Sequence, residues 1–149
     1  MTKITDNIWI GNSHDAVNAD LREPGINAIL NCAHDLQGTR GWNDGVEYAQ
    51  CGLADGPGNE MAACHAAVLK LVALIRAGKK VLVHCHKGES RSVFVAICAL
   101  ELTHSRQGWD HWRAIIREKR PTPDNTPHEA HRSAFNKMNW ALLSSAIEG

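Results

Sequence analysis
The sequence predicts an α/β domain: a small, largely parallel central sheet flanked by helices. Three observations carry this expectation. Short apolar, β-branched runs alternate with helical stretches through the first half of the chain. Helical stretches dominate the later part. One run, ending at His84-Cys85, feeds a turn that opens directly into a long apolar segment beginning at Arg91. With 149 residues, 44% of them hydrophobic, the chain can bury a sizeable core. No linker, repeat or low-complexity tract divides it, so residues 1–149 are expected to form a single domain.

Taken in order, Asn7 to Gly11 reads as a short strand, and Asn12-Ser13 as the cap of a short helix reaching about Asp20. Pro24-Gly25 marks a turn before a second strand, Ile26 to Cys32. Asp35 to Gly45 is polar and glycine-rich, hence a loop. Val46 to Leu53 alternates apolar and polar residues and predicts a third strand. Ala54 to Gly58 is a loop. Asn59 is expected to cap a helix over Glu60 to Ala77, which Gly78 stops. Lys79 to Cys85 is the central strand. Helices follow from Arg91 to about His104 and from Trp109 to Lys119, the latter closed by Arg120-Pro121. Thr122 to Asn125 is a loop, and Thr126 is expected to cap one last helix to about Ala146.

The turn after the central strand holds the chemistry. A strand, a tight loop and a helix N-terminus gather backbone N–H groups around one point, which makes an anion site. Gly88 lets the loop turn where a side chain would block it. Cys85 stands at the mouth, where the helix end and a nearby guanidinium favour the thiolate. Arg91 offers a planar fork that matches two oxygens of a phosphate. A thiolate nucleophile, a nest for phosphoryl oxygens and a bidentate cation together describe phosphoryl transfer.

His84-Cys85, five intervening residues and Arg91-Ser92 resemble the signature of the cysteine-dependent protein tyrosine phosphatase superfamily. The Ser90-Arg91-Ser92 ending is similar to the small, atypical dual-specificity branch. The resemblance extends at lower specificity to Ile8-Trp9-Ile10-Gly11, to Ile29-Leu30-Asn31-Cys32, and approximately to Ala114 through Arg120-Pro121 with Asn125 beyond. It implies a protein tyrosine phosphatase-like fold with the phosphate loop between a central strand and a helix. Lys87-Gly88 departs from the Ala-Gly common in this branch. Glu89 places an acid in the anion loop, which would weaken affinity for highly charged substrates.

The resemblance also assigns roles. Cys85 would attack phosphorus and form a phosphocysteine, with Arg91 clamping the phosphate. His86, Lys87, Gly88, Glu89, Ser90 and Arg91 would form the phosphate-binding loop, and His84 would support it by bonding backbone groups. Ser92 would hydrogen-bond the sulfur and ease its departure, the alternative being a first-turn serine of the helix. The family's proton donor is an Asp about thirty residues before the cysteine, and Asp55 lies in a Gly/Pro-rich loop at that separation. Asp44 and Asp124 are its rivals, and an ordinary turn Asp is the alternative. Cys32 ends the strand expected beside that of Cys85 and is a candidate redox partner, or else a buried free thiol. Cys51, Cys64 and Cys98 read as packing residues.

The leading expectation is a phosphatase of phosphotyrosine, with phosphoserine and phosphothreonine in reach, needing no cofactor or metal. Phosphoinositides and RNA 5′-phosphates are alternatives, as is a catalytically dead phosphate-binding module. A metal site on His84-Cys85-His86 is disfavoured because neighbouring strand residues point to opposite faces. Formal net charge is zero, which gives no electrostatic case for a nucleic-acid or membrane partner. No apolar run reaches the ~18 residues of a membrane span, and Met1 to Asp6 lacks a secretory signal's apolar stretch. Five cysteines without regular spacing make no disulfide framework. A cytoplasmic, reducing setting, a phosphorylated protein substrate and a monomeric state are expected.

Overall fold
The computed structural model describes residues 1–38, 43, 45–121 and 127–148. Its centre is a five-stranded sheet in the order β1-β2-β5-β3-β4. The strands are β1 (Thr2–Lys3), β2 (Ile8–Gly11), β3 (Ala28–Ala33), β4 (Glu47–Leu53) and β5 (Val81–His84). All neighbours run parallel except β1, which pairs antiparallel with β2. The helices among the described residues are α1 (Ser13–Asn18), α2 (Met61–Arg76), α3 (Arg91–Thr103), α4 (Trp109–Lys119), α5 (Glu129–Lys137) and α6 (Trp140–Glu148).

The inner strands β2, β3 and β5 read as nearly unbroken apolar runs because both faces of the sheet are covered there, whereas the edge strand β4 is partly exposed and alternates. Side chains alternate between faces. Ile8, Ile10, Leu30, Cys32, Val81 and Val83 enter the large core with α2 and α3. Trp9, Ile29 and Leu82 enter a smaller one with Ala16, Leu21, Ile26 and Val46. Helix α3 is buried from Arg91 to Glu101 and packs on α2, α4, α5 and α6 as well as on the sheet. A helix buried on all sides carries no amphipathic pattern, which explains its continuous apolar sequence.

Helix starts and stops are where the structure departs from expectation. Helix α1 is capped as read: Asn12 accepts from the Asp15 N–H at 2.8 Å, and Asp15 accepts from the Asn12 N–H at 3.0 Å. It ends at Asn18, short of Asp20. Asn59 does not cap α2; Glu60 is the cap residue, with no side-chain cap bond. The Asn59 side chain turns back instead, donating to the Ala54 carbonyl and accepting from the Ala54 N–H, both at 2.8 Å. Gly78 ends the α2 turn as expected, in the left-handed region at φ 81°.

The single C-terminal helix is two. Met138 is extended, with φ −66° and ψ 145°, and ends α5. Asn139 then accepts from the Leu142 N–H at 3.0 Å and starts α6. The apolar pattern hides the break because Phe135, Met138 and Leu143 are buried on both sides of it. The start of α5 is capped by His128, whose Nδ1 accepts from the Ala130 N–H at 3.0 Å. Thr126, the expected cap, lies outside the described residues. Strand β1 went unread because two residues carry no periodicity. Among the described residues, no helix is long and apolar enough to cross a membrane.

Candidate active site
Four parallel strands end at one edge of the sheet, and the segments that follow them meet there. Gly11 of β2 and Asn31 of β3 are both level with His84 of β5. Cys85, Asp35 and Asp55 follow β5, β3 and β4 respectively. They line one open cleft of about 430 Å³ with His86, Lys87, Glu89, Ser90, Arg91 and His128.

The loop from Cys85 to Ser90 is held from outside by its carbonyls. The Cys85 carbonyl accepts from His84 Nδ1 at 3.1 Å. The His86 carbonyl accepts from the Ser13 N–H, at the start of α1, at 3.0 Å. The Lys87 and Gly88 carbonyls accept from Arg120 Nη2 and Nε, at 3.3 and 3.0 Å. In a trans peptide the N–H points opposite to its carbonyl. The N–H groups of His86, Lys87, Gly88 and Glu89 therefore turn into the loop and form an anion nest. His84 is fully buried, and burial pushes its pKa down, so its neutral ring acts as the brace the sequence suggested.

Gly88 is required twice over. It sits at φ 71°, and a Cβ there would lie 2.4 Å from the Gly11 carbonyl oxygen and 2.8 Å from Arg120 Nη2. Gly88→Ala is expected to cost at least about 1–3 kcal/mol through the backbone conformation alone. It should also spoil the nest, lowering both the melting temperature and the affinity for inorganic phosphate. A variant that melts and binds phosphate like the parent would show that this contact does not set the loop.

Cys85 is 3% exposed, and its Sγ lies 3.3 Å from Ser92 Oγ, itself fully buried in the first turn of α3. Arg91 is 4% exposed. Its Nη1 donates to Asp35 Oδ1 at 2.8 Å and to the Leu53 carbonyl at 2.9 Å, while its Nε is buried with no hydrogen-bond partner among the described residues. Asp35 Oδ2 meets His86 Nε2 at 3.0 Å. The Arg91 hydrogen bond, with His86 adding to it, holds the Asp35 carboxyl well below the usual carboxylate range. His84 and His86 thus turn to different partners.

Asp55 stands across the loop. Its Oδ1 accepts from Ser90 Oγ at 2.6 Å and meets His131 Nε2 at 3.2 Å. Ser90 in turn accepts from the His128 N–H at 3.0 Å. Partial burial raises the Asp55 pKa, but hydrogen bonds from Ser90 and His131 and the Arg91 charge outweigh it, and the net shift is downward. His131, 1% exposed, is shifted down by burial, against the pull of Asp55. At neutral pH the pair is therefore a carboxylate accepting from a neutral imidazole.

The profile of the dual specificity phosphatase catalytic domain matches residues 8–134. The chain belongs to that family. Its fold is shared by DUSP15, at TM-score 0.84 and 22% identity over 99% of this chain and 94% of that one. Human DUSP28 aligns at TM-score 0.77 and 19% identity over 99% and 98% of the two chains. PTPMT1 aligns at TM-score 0.75 and 17% identity over 99% of both. No curated protein sequence matches the chain.

This phosphatase domain brings together Cys85, Arg91, Asp55, Ser92 and the loop between them, as the motif spacing implied. Asn31 pairs with His84, so Cys32 and Cys85 each follow that paired position. Both thiols are free, and burial, with the charges of Cys85 and Cys51, pushes Cys32 well up. Asp44 and Asp124 lie outside the described residues. Four residues at the site were not read from the sequence: Asp35 and His128, which line the cleft, and His131 and Arg120, which act on it through Asp55 and the loop carbonyls. Asp35 fell in a segment read only as a loop, and His131 and Arg120 come from the C-terminal half. A buried histidine and a buried arginine announce themselves only through partners distant in sequence.

Proposed function
We propose that this domain hydrolyses phosphomonoesters of proteins, phosphotyrosine first, through a phosphocysteine formed on Cys85. The observation that carries this reading is the orphan Nε of Arg91, buried beside a loop whose N–H groups converge. A buried guanidinium nitrogen without a partner costs stability unless an anion takes it. A phosphoryl group seated in the nest supplies that anion. It brings phosphorus to Cys85 Sγ, and Ser92 Oγ stands ready to stabilise the sulfur as it leaves in the second step. Asp55 gives its proton to the departing oxygen and then takes one from the attacking water.

Arg91→Lys tests the clamp. An ammonium is a point charge and cannot hold two oxygens in one plane. The loss in kcat/KM toward a phosphotyrosine peptide is expected at roughly 10²–10³-fold, as for other oxyanion donors. A change below about tenfold would remove Arg91 from the mechanism. The reading as a whole is tested by rapid quench with a phosphotyrosine peptide in EDTA. Phosphate release with a phosphoenzyme that maps to Cys85 supports it, and binding without release leaves only a phosphate-binding module.

A lipid substrate is the second reading, since PTPMT1 in complex with PI(5)P shares the fold at TM-score 0.73 and 14% identity. The cleft argues for the protein substrate. Asp35, Asp55 and Glu89 line it opposite a single loop lysine, Lys87, and this balance disfavours a polyanionic headgroup. A free catalytic thiol also fits a reducing, intracellular setting.

A further inference from the structure
We propose that His131 is a positioning residue for the proton-donating carboxyl: with Ser90 it anchors Asp55 Oδ1, leaving Oδ2 to carry and deliver the proton. This inference rests on Asp55 acting as the general acid. Both described donors to Asp55, Ser90 Oγ and His131 Nε2, converge on the same oxygen, at 2.6 and 3.2 Å. Among the described contacts none reaches Oδ2. A carboxyl bonded at one oxygen in both protonation states keeps its orientation while the proton comes and goes on the other. Asp55 needs such an anchor because the hydrogen bonds described within its loop, from Asn59 to Ala54 and Gly56 and from Gly56 to Ala54, tie the loop to itself and not to the phosphate loop.

His131 is itself rigid. Its ring stacks on Phe94 of α3, with centroids 5.2 Å apart and planes 20° from parallel. Phe94 is fully buried and its N–H bonds the Ser90 carbonyl at 2.9 Å. Helix α3, the phosphate loop and α5 are thus joined through one imidazole, and the distance from Asp55 to the nest is fixed by packing. The titratable groups facing the pair are Arg91 from α3 and His128 from the α5 cap. Arg91 draws the Asp55 pKa down, and both draw that of His131 down, which keeps the imidazole a neutral donor.

The mechanism gives His131 a pH signature. A donor to the carboxylate lowers the Asp55 pKa, so removing it raises that pKa and shifts the basic limb of the kcat/KM profile to higher pH. His131→Phe keeps the stack on Phe94 and deletes the donor; His131→Gln restores one. His131→Leu replaces the Phe variant if that one melts early. With a phosphotyrosine peptide, His131→Phe should lose about tenfold or more in kcat/KM, within the span of general-acid effects. With p-nitrophenyl phosphate, whose leaving group needs little protonation, the loss should be small. His131→Gln should recover most of the peptide activity and return the basic limb toward the parent. In an Asp55→Asn background, His131→Phe should add nothing further.

Equal losses on both substrates with an unmoved basic limb would reduce His131 to packing and overturn the inference, as would full peptide activity in His131→Phe. If Asp55→Asn is leaving-group dependent while His131→Phe is not, the inference alone fails. If Asp55→Asn shows no such dependence, the general-acid reading fails and takes the inference with it.

Discussion

Cys85→Ser abolishes turnover and leaves phosphate binding near the parent value. The hydroxyl is far less ionised than a thiol at any working pH, so the covalent step loses its nucleophile. The nest, however, is built from backbone N–H groups whose orientation depends on His84, Ser13 and Arg120, none of which touches the sulfur in these contacts. Serine also fits the space, since Cys85 is already 3% exposed and bonded to a hydroxyl. Two measurements separate the effects: steady-state hydrolysis of a phosphotyrosine peptide and calorimetric binding of inorganic phosphate. Near-normal turnover in the variant would end the phosphocysteine mechanism. Loss of phosphate binding together with turnover would instead place the sulfur within the nest's own framework.

Asp55→Asn costs roughly 10²–10⁴-fold in kcat/KM with a phosphotyrosine peptide and much less with an activated aryl phosphate. The amide keeps the shape of the side chain and its acceptor for Ser90 and His131, but it holds no transferable proton. The pH profile carries the same information. In the resting site Ser90, His131 and Arg91 hold Asp55 below its usual value, so its proton is lost on the acid side of neutrality as pH rises. The basic limb of kcat/KM, which reports free enzyme, therefore falls early. In the complex the bound phosphate adds negative charge beside the carboxyl, which raises its pKa, and the basic limb of kcat lies at higher pH. Asp55→Asn flattens the limb in both. A limb that survives, with both substrates equally impaired, points to another acid, and Asp44 is the first to replace.

The part of the fold that was legible in the sequence is the part encoded by short-range pattern. The runs around Ile8, Ile29 and Val81 read as strands because both of their faces are buried, and α4 was read with its bounds, Trp109 to Lys119, closed by Arg120-Pro121. The phosphate loop was legible for a related reason. Cys85, Gly88, Arg91 and Ser92 act on one another across a few bonds of chain, so their spacing is itself the geometry. What escaped was set by partners far along the chain. Asn59 would suit a helix cap, yet it closes the Asp55 loop, where Ala54 offers two bonds at 2.8 Å. The break at Met138-Asn139 is invisible because both sides of it keep their apolar residues in the same core. The sequence by itself singled out Cys85, the loop after it and Arg91, the proposed nucleophile, nest and clamp. Only the tertiary structure decided that Asp35 takes Arg91 Nη1, that Arg120 holds two loop carbonyls, and that His131 reaches Asp55. Parallel strands end together at one sheet edge whatever their order in the chain, and α3 draws α5 against that edge. Residues thirty or more positions apart are made neighbours by packing, which leaves no trace in local spacing.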